Sequence, residues 1–224
     1  MKNCLILLIV LATLFTSCGE PPIVFQDTQP QDLDARAYFE PIYRGIFLCE
    51  SDSALVHVNA KTVHKEKNFK FSTTVSELDS IAEAELVGEE IYVKGFKQPI
   101  PVKIEGDSVF GDVLLRDTLF NLGKDHVLKY FRGHHILNRK LSKDKWEVLI
   151  LSIDYDLDLR LSEAVMPEDL GKLERVTPVK DISTEERDQL LLAPTVTQFR
   201  EILRQQLVFQ ECDLYTRMKL PTEI

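Results

Sequence analysis

The sequence predicts a mainly β domain of antiparallel hairpins, arranged as a sheet or a barrel-like structure, with two C-terminal helices, and so an α+β fold. From about residue 38 to residue 161 apolar and polar residues alternate, which is the pattern of strands that bury one face. Short turn signals between these segments favour antiparallel neighbours. After residue 183 the apolar spacing becomes that of helices.

The first twenty residues have the composition of an export signal. Lys2 precedes a largely apolar run from Leu5 to Leu14, and small residues then lead to Cys18. The run is shorter than the roughly 20 apolar residues that cross a ~30 Å hydrocarbon core. The leader therefore predicts export and not a membrane-spanning helix.

The end of this leader, Phe15-Thr16-Ser17-Cys18, resembles the lipobox of bacterial lipoproteins, although Phe15 stands where Leu is most common. In that class the cysteine is lipidated and the signal is cut just before it. The resemblance thus implies a signal peptide over residues 1–17 and a lipid anchor on Cys18. Gly19 replaces the Asp that commonly retains such proteins at the inner membrane, which favours the outer membrane. The alternative is an ordinary secretory signal. The rest of the chain resembles bacterial lipoproteins only in general, which implies no activity.

The charge balance limits the classes of partner. The chain carries a net charge of -9, and loss of residues 1–17 removes only the charge of Lys2, which leaves -10 on 207 residues. Because Lys and Arg are not clustered, the sequence argues against nucleic acid, whose phosphates need such clusters. The acidic balance also disfavours adhesion to anionic headgroups, so lipid on Cys18 would supply the membrane affinity.

Two cysteines remain once the leader is set aside. Cys4 leaves with the signal and Cys18 is the expected lipid site, so Cys49 and Cys212 are left. In an oxidising envelope they form either a disulfide or two buried thiols, and both alternatives stay open. The sequence has no CxxC, Cys-His cluster or HExxH, so neither a metal site nor a cofactor is predicted.

The start of the mature chain is predicted to be a tether. Residues 18–37 contain Pro and Gln with little apolar periodicity, as in PPIVFQDTQPQ. We expect this stretch to hold the domain away from the membrane, and a single folded domain to span residues 38–224.

Two hairpins are predicted in the strand-rich part. Residues 69–75 and 100–104 each alternate between apolar and polar side chains. Gly106-Asp107 then favours a tight turn into the strand at Val109, because glycine adopts the positive φ that such a turn needs. A second turn is expected at Ser142-Lys143-Asp144.

The strand after this second turn is apolar on both faces. One face carries Trp146, Val148 and Ile150, and the other carries Leu149, Leu151 and Ile153. A strand of this kind must be covered on both sides. We therefore expect a central strand that lies under a helix.

Two helices are predicted between about residues 183 and 210. Ser183-Thr184-Glu185-Glu186 has the pattern of a capping box and predicts a short helix through Leu192, ended by Pro194. Thr195 is predicted to cap a second helix that packs on the sheet, with partner binding as the alternative. The apolar face of that helix consists of Val196, Phe199, Ile202, Leu203 and Leu207.

Acidic and histidine residues give no recognisable site chemistry. Asp154, Asp156 and Asp158 alternate with apolar residues, which predicts carboxylates on the solvated face of a strand. A cation site is the alternative, but the Gly and Glu of an EF-hand loop are missing. His134 and His135 are adjacent, so on a strand they point to opposite faces. The remaining histidines, which lack a partner motif, are His57, His64 and His126.

No catalytic residue is predicted, since the sequence has no GxSxG, SxxK, P-loop or GxGxxG motif. The favoured function is a lipid-anchored binding or structural module of the cell envelope that acts through a protein or polysaccharide partner. The first alternative is a carrier of a small apolar ligand in a barrel-like cavity. The second is an envelope hydrolase, for which a polar cleft with shifted pKa values is expected.

Overall fold

The structure, a computed structural model, describes residues 20–49, 52–96 and 98–218. Over these residues the chain is mainly β. No helix among them combines the length and the apolarity that a membrane crossing requires. Cys18 and the rest of the leader lie outside the described residues.

Fifteen strands and three α-helices follow one another in the described chain. The strands are β1 (Ile23–Phe25), β2 (Gly45–Cys49), β3 (Leu55–Val58), β4 (Thr62–Thr74), β5 (Ala84–Val87), β6 (Glu90–Val93), β7 (Ile100–Glu105), β8 (Ser108–Asn121), β9 (His126–Phe131), β10 (His134–Ser142), β11 (Lys145–Ile153), β12 (Leu159–Ala164), β13 (Val179–Asp181), β14 (Leu190–Leu192) and β15 (Phe209–Arg217). The helices are α1 (Val75–Asp79), α2 (Leu170–Val176) and α3 (Val196–Arg204), with a 3-10 helix at Pro41–Tyr43.

The chain forms two compact units. Of the described residues, unit 1 contains Glu66–Arg116, and unit 2 contains Glu20–Lys65 together with 117–218. The prediction of one domain over residues 38–224 did not anticipate this division.

Unit 1 combines antiparallel strands with the short helix α1. β5 pairs with β6, β6 with β7, and β7 with β8. The predicted Gly106-Asp107 hairpin is confirmed, since Glu105 pairs with Ser108 across it and the glycine has a φ of 64°. Aliphatic side chains around Leu78 and Val109 fill the interior of the unit.

The predicted strand over residues 69–75 ends one residue early, at Thr74. The Thr74 hydroxyl accepts the Glu77 N–H at 3.2 Å, and the Glu77 carboxylate accepts the Thr74 N–H at 3.3 Å. This capping box satisfies backbone donors that would otherwise be unpaired, so Val75 begins α1.

Unit 2 is built around β11. This strand pairs antiparallel with β10 through the turn predicted at Ser142-Lys143-Asp144, and it also pairs with β12. β1 joins it where Phe25 lies opposite Trp146. The sheet continues from β12 through β15 and β2 to β3. Because β1 runs parallel to β14, the sheet is mixed, and in the described residues it is not closed. The antiparallel hairpins are confirmed, and the barrel-like alternative is not.

β11 is covered on both faces, as its sequence predicts. Val148 and Ile150 belong to a cluster that includes Phe199 of α3. Leu149 and Leu151 belong to a second cluster, in which the aromatic members are Phe39, Tyr43, Phe47, Phe120 and Tyr215. Full burial of one such side chain contributes roughly 1.5–3 kcal/mol, so the two clusters supply much of the stability of unit 2.

The tether predicted over residues 18–37 is wrong for its described part. Ile23, Val24 and Phe25 are completely buried in β1. Further along, the Asn138 amide accepts the Gln29 N–H at 2.5 Å and donates to the Gln29 carbonyl at 2.9 Å. A three-residue strand is too short to show a period, and the surrounding Pro and Gln dominate the composition.

The first of the two predicted C-terminal helices is absent. In place of a capping box, the Ser183 hydroxyl accepts the N–H of Gln189 at 3.0 Å and closes a loop. The following Leu190–Leu192 forms β14, which pairs with β1 on one edge and β13 on the other. Pairing with β1 buries Leu190 and Leu192, whereas a helix as short as the predicted one is only marginally stable by itself.

The second predicted helix is confirmed, but the helical part ends sooner than expected. Thr195 and Gln198 form a capping box at the start of α3. The helix ends at Arg204, and residues 209–217 form β15 instead of helix up to residue 210. The helix α2, which the sequence did not predict, begins at the Asp169 cap.

We expect Phe25→Ala to lower the free energy of unfolding by about 3–5 kcal/mol. The Phe25 ring lies 6.1 Å from that of Phe209 and 6.3 Å from that of Phe199, so the substitution opens a cavity. The matched control is Gln26→Ala at the neighbouring exposed position, with an expected effect within about 0.5 kcal/mol. Urea unfolding measures the free energy of unfolding of both variants. If Phe25→Ala left it unchanged, residues 18–37 would again be interpreted as a tether.

Candidate interaction surface

The two cysteines considered for a disulfide are not bonded to each other. Cys49 is buried on β2 opposite Tyr215, and Cys212 lies three residues before Tyr215 on β15. Three strand residues span about 10 Å, which exceeds the ~7 Å Cα separation that a disulfide tolerates. The Cys212 thiol instead donates to the Leu161 carbonyl at 3.1 Å. Although Cys212 as a residue is exposed, desolvation of its thiol, with nearby carboxylates, raises the pKa of Cys212 to about 12, so this thiol stays protonated.

The three aspartates lie in a turn between β11 and β12, so their prediction as a strand face is wrong. The Asp154 carboxylate accepts the N–H groups of Asp156 and Asp158, each at 3.0 Å, and two N–H groups of Arg160 at 3.1 and 3.2 Å. Burial raises the pKa of Asp154, but these hydrogen bonds outweigh that effect and bring the pKa below its usual value. Leu157 has a φ of 66°, which interrupts the strand despite the alternating sequence.

Large apolar side chains are exposed on this turn and on a second segment. Tyr155 is fully exposed, and Leu157 is 41% exposed. On the segment around the 3-10 helix, Tyr38 is 55% and Ile42 is 51% exposed. Single exposed apolar residues are ordinary, whereas a group of them marks an interaction site.

The second segment is fixed by its buried members. Phe39 and Tyr43 place their rings 5.3 and 4.1 Å from the ring of His135, which is completely buried on β10. Their neighbours Tyr38 and Ile42 are therefore left facing solvent. The buried cluster thus sets which residues of the segment are exposed.

His135 supports this segment as a neutral imidazole. Burial, and to a smaller degree the Arg36 guanidinium, lower the pKa of His135 to about 4. The ring nitrogen Nε2 accepts the Glu40 N–H at 3.4 Å. Burial raises the pKa of Tyr43, whose hydroxyl donates to the Gly133 carbonyl at 2.6 Å. The contacts below the segment are therefore made by uncharged rings at neutral pH.

Arg217 at the end of β15 joins the two exposed segments. Its guanidinium donates to the carbonyls of Ile42, of Arg44 at 2.9 Å and of Leu157 at 3.3 Å. Its backbone N–H donates to the Asp158 carboxylate at 3.1 Å. One side chain thus holds the 3-10 segment and the turn together.

The position of Arg217 depends on two residues of β2. The guanidinium carbon lies 4.6 Å from the centre of the Phe47 ring. A Cβ at Gly45 would lie 2.9 Å from a guanidinium nitrogen, so only glycine leaves the room that this approach needs. The exposed apolar residues of the joined segments are named here the Tyr155 surface: Tyr38, Ile42, Tyr155, Leu157 and the adjacent Met218.

His57 and His64 are brought together within unit 2, which sequence reasoning missed. Their rings stack with centroids 4.7 Å apart and planes 9° apart. The N–H of Asn59 donates to the Thr62 carbonyl at 2.8 Å and closes the hairpin from β3 into β4 that pairs them. The turn lacks the Gly-containing dipeptide that would have revealed this register.

A surface hollow of about 290 Å³ lies beside the aromatic cluster. Its lining residues are Leu33, Asp34, Ala35, Arg36 and Tyr130. Two of the five carry a charge, which does not match the apolar lining that a carrier of an apolar ligand needs.

No protein-family model matches the chain, no curated protein matches it, and no solved structure matches it.

The protein is expected to lose stability between about pH 6.5 and pH 4. The pKa of His135 is lower in the folded protein, at about 4, than its ordinary value of 6.5. The neutral ring therefore contributes its full stabilisation above pH 6.5, and this stabilisation is lost as the pH falls towards about 4. The loss from His135 is about 3 kcal/mol, at ~1.4 kcal/mol per pKa unit. Burial also lowers the pKa values of His134 and His126, which act in the same direction.

Urea unfolding of the wild type and of His135→Gln at neutral pH and near pH 4.5 tests this expectation. The variant should show the smaller difference between the two pH values, because its side chain does not titrate. His126→Gln, at a less buried position, is the control and should reduce the difference by less than His135→Gln does. Equal pH dependence in wild type and His135→Gln would contradict the assignment.

Proposed function

We propose that the protein is a lipid-anchored binding module of the bacterial cell envelope that binds a partner protein through the Tyr155 surface. The observation that carries this proposal is the grouping of exposed apolar side chains on two segments that Arg217 holds together. Exposed apolar side chains that lie together typically mark an interaction site, whereas isolated ones are ordinary.

The composition of the surface favours a protein over a polysaccharide partner. Tyr, Met and Arg are enriched where proteins bind one another, and all three are present here. Ile42 and Leu157 offer no hydrogen bonds, whereas each sugar unit presents several hydroxyls that need partners. An apolar patch on the partner satisfies the surface better.

The surface is also fixed before a partner arrives. Arg217 holds the backbone of both segments, and the aromatic cluster at His135 holds the 3-10 segment from below. Binding then costs less conformational entropy than it would for mobile loops. We take this preorganisation as a second argument for a binding role.

The anchor is supported by the lipobox resemblance of the leader. Two or three acyl chains on Cys18 would hold the protein on a membrane effectively irreversibly, since each buried methylene contributes roughly 0.8 kcal/mol. Gly19 in the mature chain supports the outer membrane.

The two alternative functions gain no support from the described residues. An apolar carrier needs an enclosed cavity, whereas the sheet is open and the hollow at Arg36 is partly charged. A hydrolase needs a titratable group in reach of substrate, whereas His135, whose pKa is strongly shifted, is completely buried.

Replacement of Cys18 should release the protein from the membrane. We expect wild type expressed in a bacterial host to carry acyl mass and to fractionate with membranes, and Cys18→Ala to be soluble and unacylated. Cys212→Ala, which removes an exposed thiol, is the control and should behave as wild type. Intact mass and fractionation give the result, and wild type without acyl mass would contradict the anchor.

A photoreactive amino acid at position 155 should give a discrete cross-linked product in living cells. Because the partner contacts the whole surface, Ile42→Ser with Leu157→Asn should reduce this product at least tenfold. Asn tolerates the positive φ at position 157, so the turn is preserved. Position 92, where Tyr92 is 46% exposed in unit 1, is the control site. The same product from both sites, or one that persists in the double variant, would contradict the proposal.

A further inference from the structure

We infer that unit 2 rests on a phospholipid surface at the end of the sheet where β11 begins, with the Tyr155 surface at the opposite end of that strand. The inference rests on the proposed lipid anchor at Cys18. It adds an orientation relative to the membrane, which the lipobox does not give. The occupant of the first end is the headgroup layer of the membrane that holds the lipid.

The fold begins almost directly after the anchor. The Glu20 carboxylate pairs with Arg187 at 3.4 Å and with Lys145 at 3.9 Å. The Gln189 side-chain amide donates to the carbonyl of Pro21 at 2.9 Å. Cys18 precedes Glu20 by two residues, which span at most about 7 Å. The attachment point of the proposed lipid is therefore at most about 7 Å along the backbone from Glu20, and not at the end of a long tether.

β11 gives the separation between the two ends. Lys145, which holds Glu20, is the first of its nine residues, and the turn with Tyr155 follows its last residue, Ile153. Eight strand steps of ~3.4 Å place Ile153 about 27 Å from Lys145. The anchor and the Tyr155 surface thus lie at opposite ends of one buried strand.

The chemistry of the first end suits a headgroup layer. Lys143 is exposed at the tip of the β10–β11 turn, and Lys145 is half-buried. Trp146, the single tryptophan of the chain, is half-buried beside them, with the Lys140 ammonium 5.6 Å from its ring. Tryptophan and lysine are favoured at the boundary between membrane and water. Asp144 and Glu20 offset part of the positive charge, so the lipid provides the attachment and the headgroups need not be anionic.

The orientation restricts the partner of the Tyr155 surface. At about 27 Å or more from the anchored end, this surface faces the aqueous space and not the bilayer that carries the lipid. The partner is therefore a protein whose apolar patch lies outside that membrane.

Trp146 makes the orientation measurable without a label. The acylated full-length chain is reconstituted on phosphatidylcholine vesicles that contain a lipid with a nitroxide on its headgroup, a quencher that acts only at short range. We expect the Trp146 fluorescence to fall at least twofold. In the matched variant Trp146→Phe with Tyr155→Trp, the single tryptophan lies at the far end, and its fluorescence should be unchanged.

A second measurement needs no substitution. Hydrogen exchange of the acylated wild type, with and without vesicles, should show at least twofold slower exchange for residues 143–146 and no change for residues 154–158. Quenching or protection at residue 155 equal to that at 146 would overturn the orientation. Acylated, vesicle-bound protein with unquenched Trp146 would overturn the orientation alone. Wild type without acyl mass would overturn the anchor, and this inference with it.

Discussion

The burial of β11 on both faces is the constraint on which unit 2 depends. Because its side chains are apolar on each face, the strand needs cover from both sides. One face packs on α3 through Phe199, and the other packs on the cluster around Phe39, Phe47 and Tyr215. Ile23 and Phe25 of β1 belong to the same cluster as Val148 and Ile150, so the N-terminal strand is tied to this core.

Arg217 turns this core into a defined surface. Its guanidinium can donate five hydrogen bonds in a fixed plane, and the geometry uses it to collect carbonyls from two segments far apart in sequence. A lysine carries its three donors on a single nitrogen and lacks this planar fork, so it would not match the same set of carbonyls. The side chains that this surface exposes are large and mainly apolar, whereas the hydrogen bonds that hold it are accepted by the backbone carbonyls of its residues.

The same arrangement links the surface to acidity. The 3-10 segment rests on Phe39 and Tyr43, and both rings contact neutral His135. A proton on His135 places an uncompensated charge among these rings, with the Arg36 guanidinium nearby and no carboxylate among its ring contacts. The Tyr155 surface therefore lies over the part of the described core with the most strongly lowered histidine pKa.

The sequence by itself determined the strand-rich character, both hairpin turns, the two-sided burial of β11 and the helix capped by Thr195. These depend on periodicity and on local turn or cap chemistry, which neighbouring residues decide. It also supplied the lipobox resemblance and with it the expectation for Cys18. Tertiary structure alone decided that Ile23–Phe25 is a strand, that Leu190–Leu192 is not helical, and that Asp154 closes a turn. Only the tertiary structure brings Ile42, Leu157 and Arg217 together at one surface. Such contacts join segments that are distant in sequence, so no local periodicity predicts them.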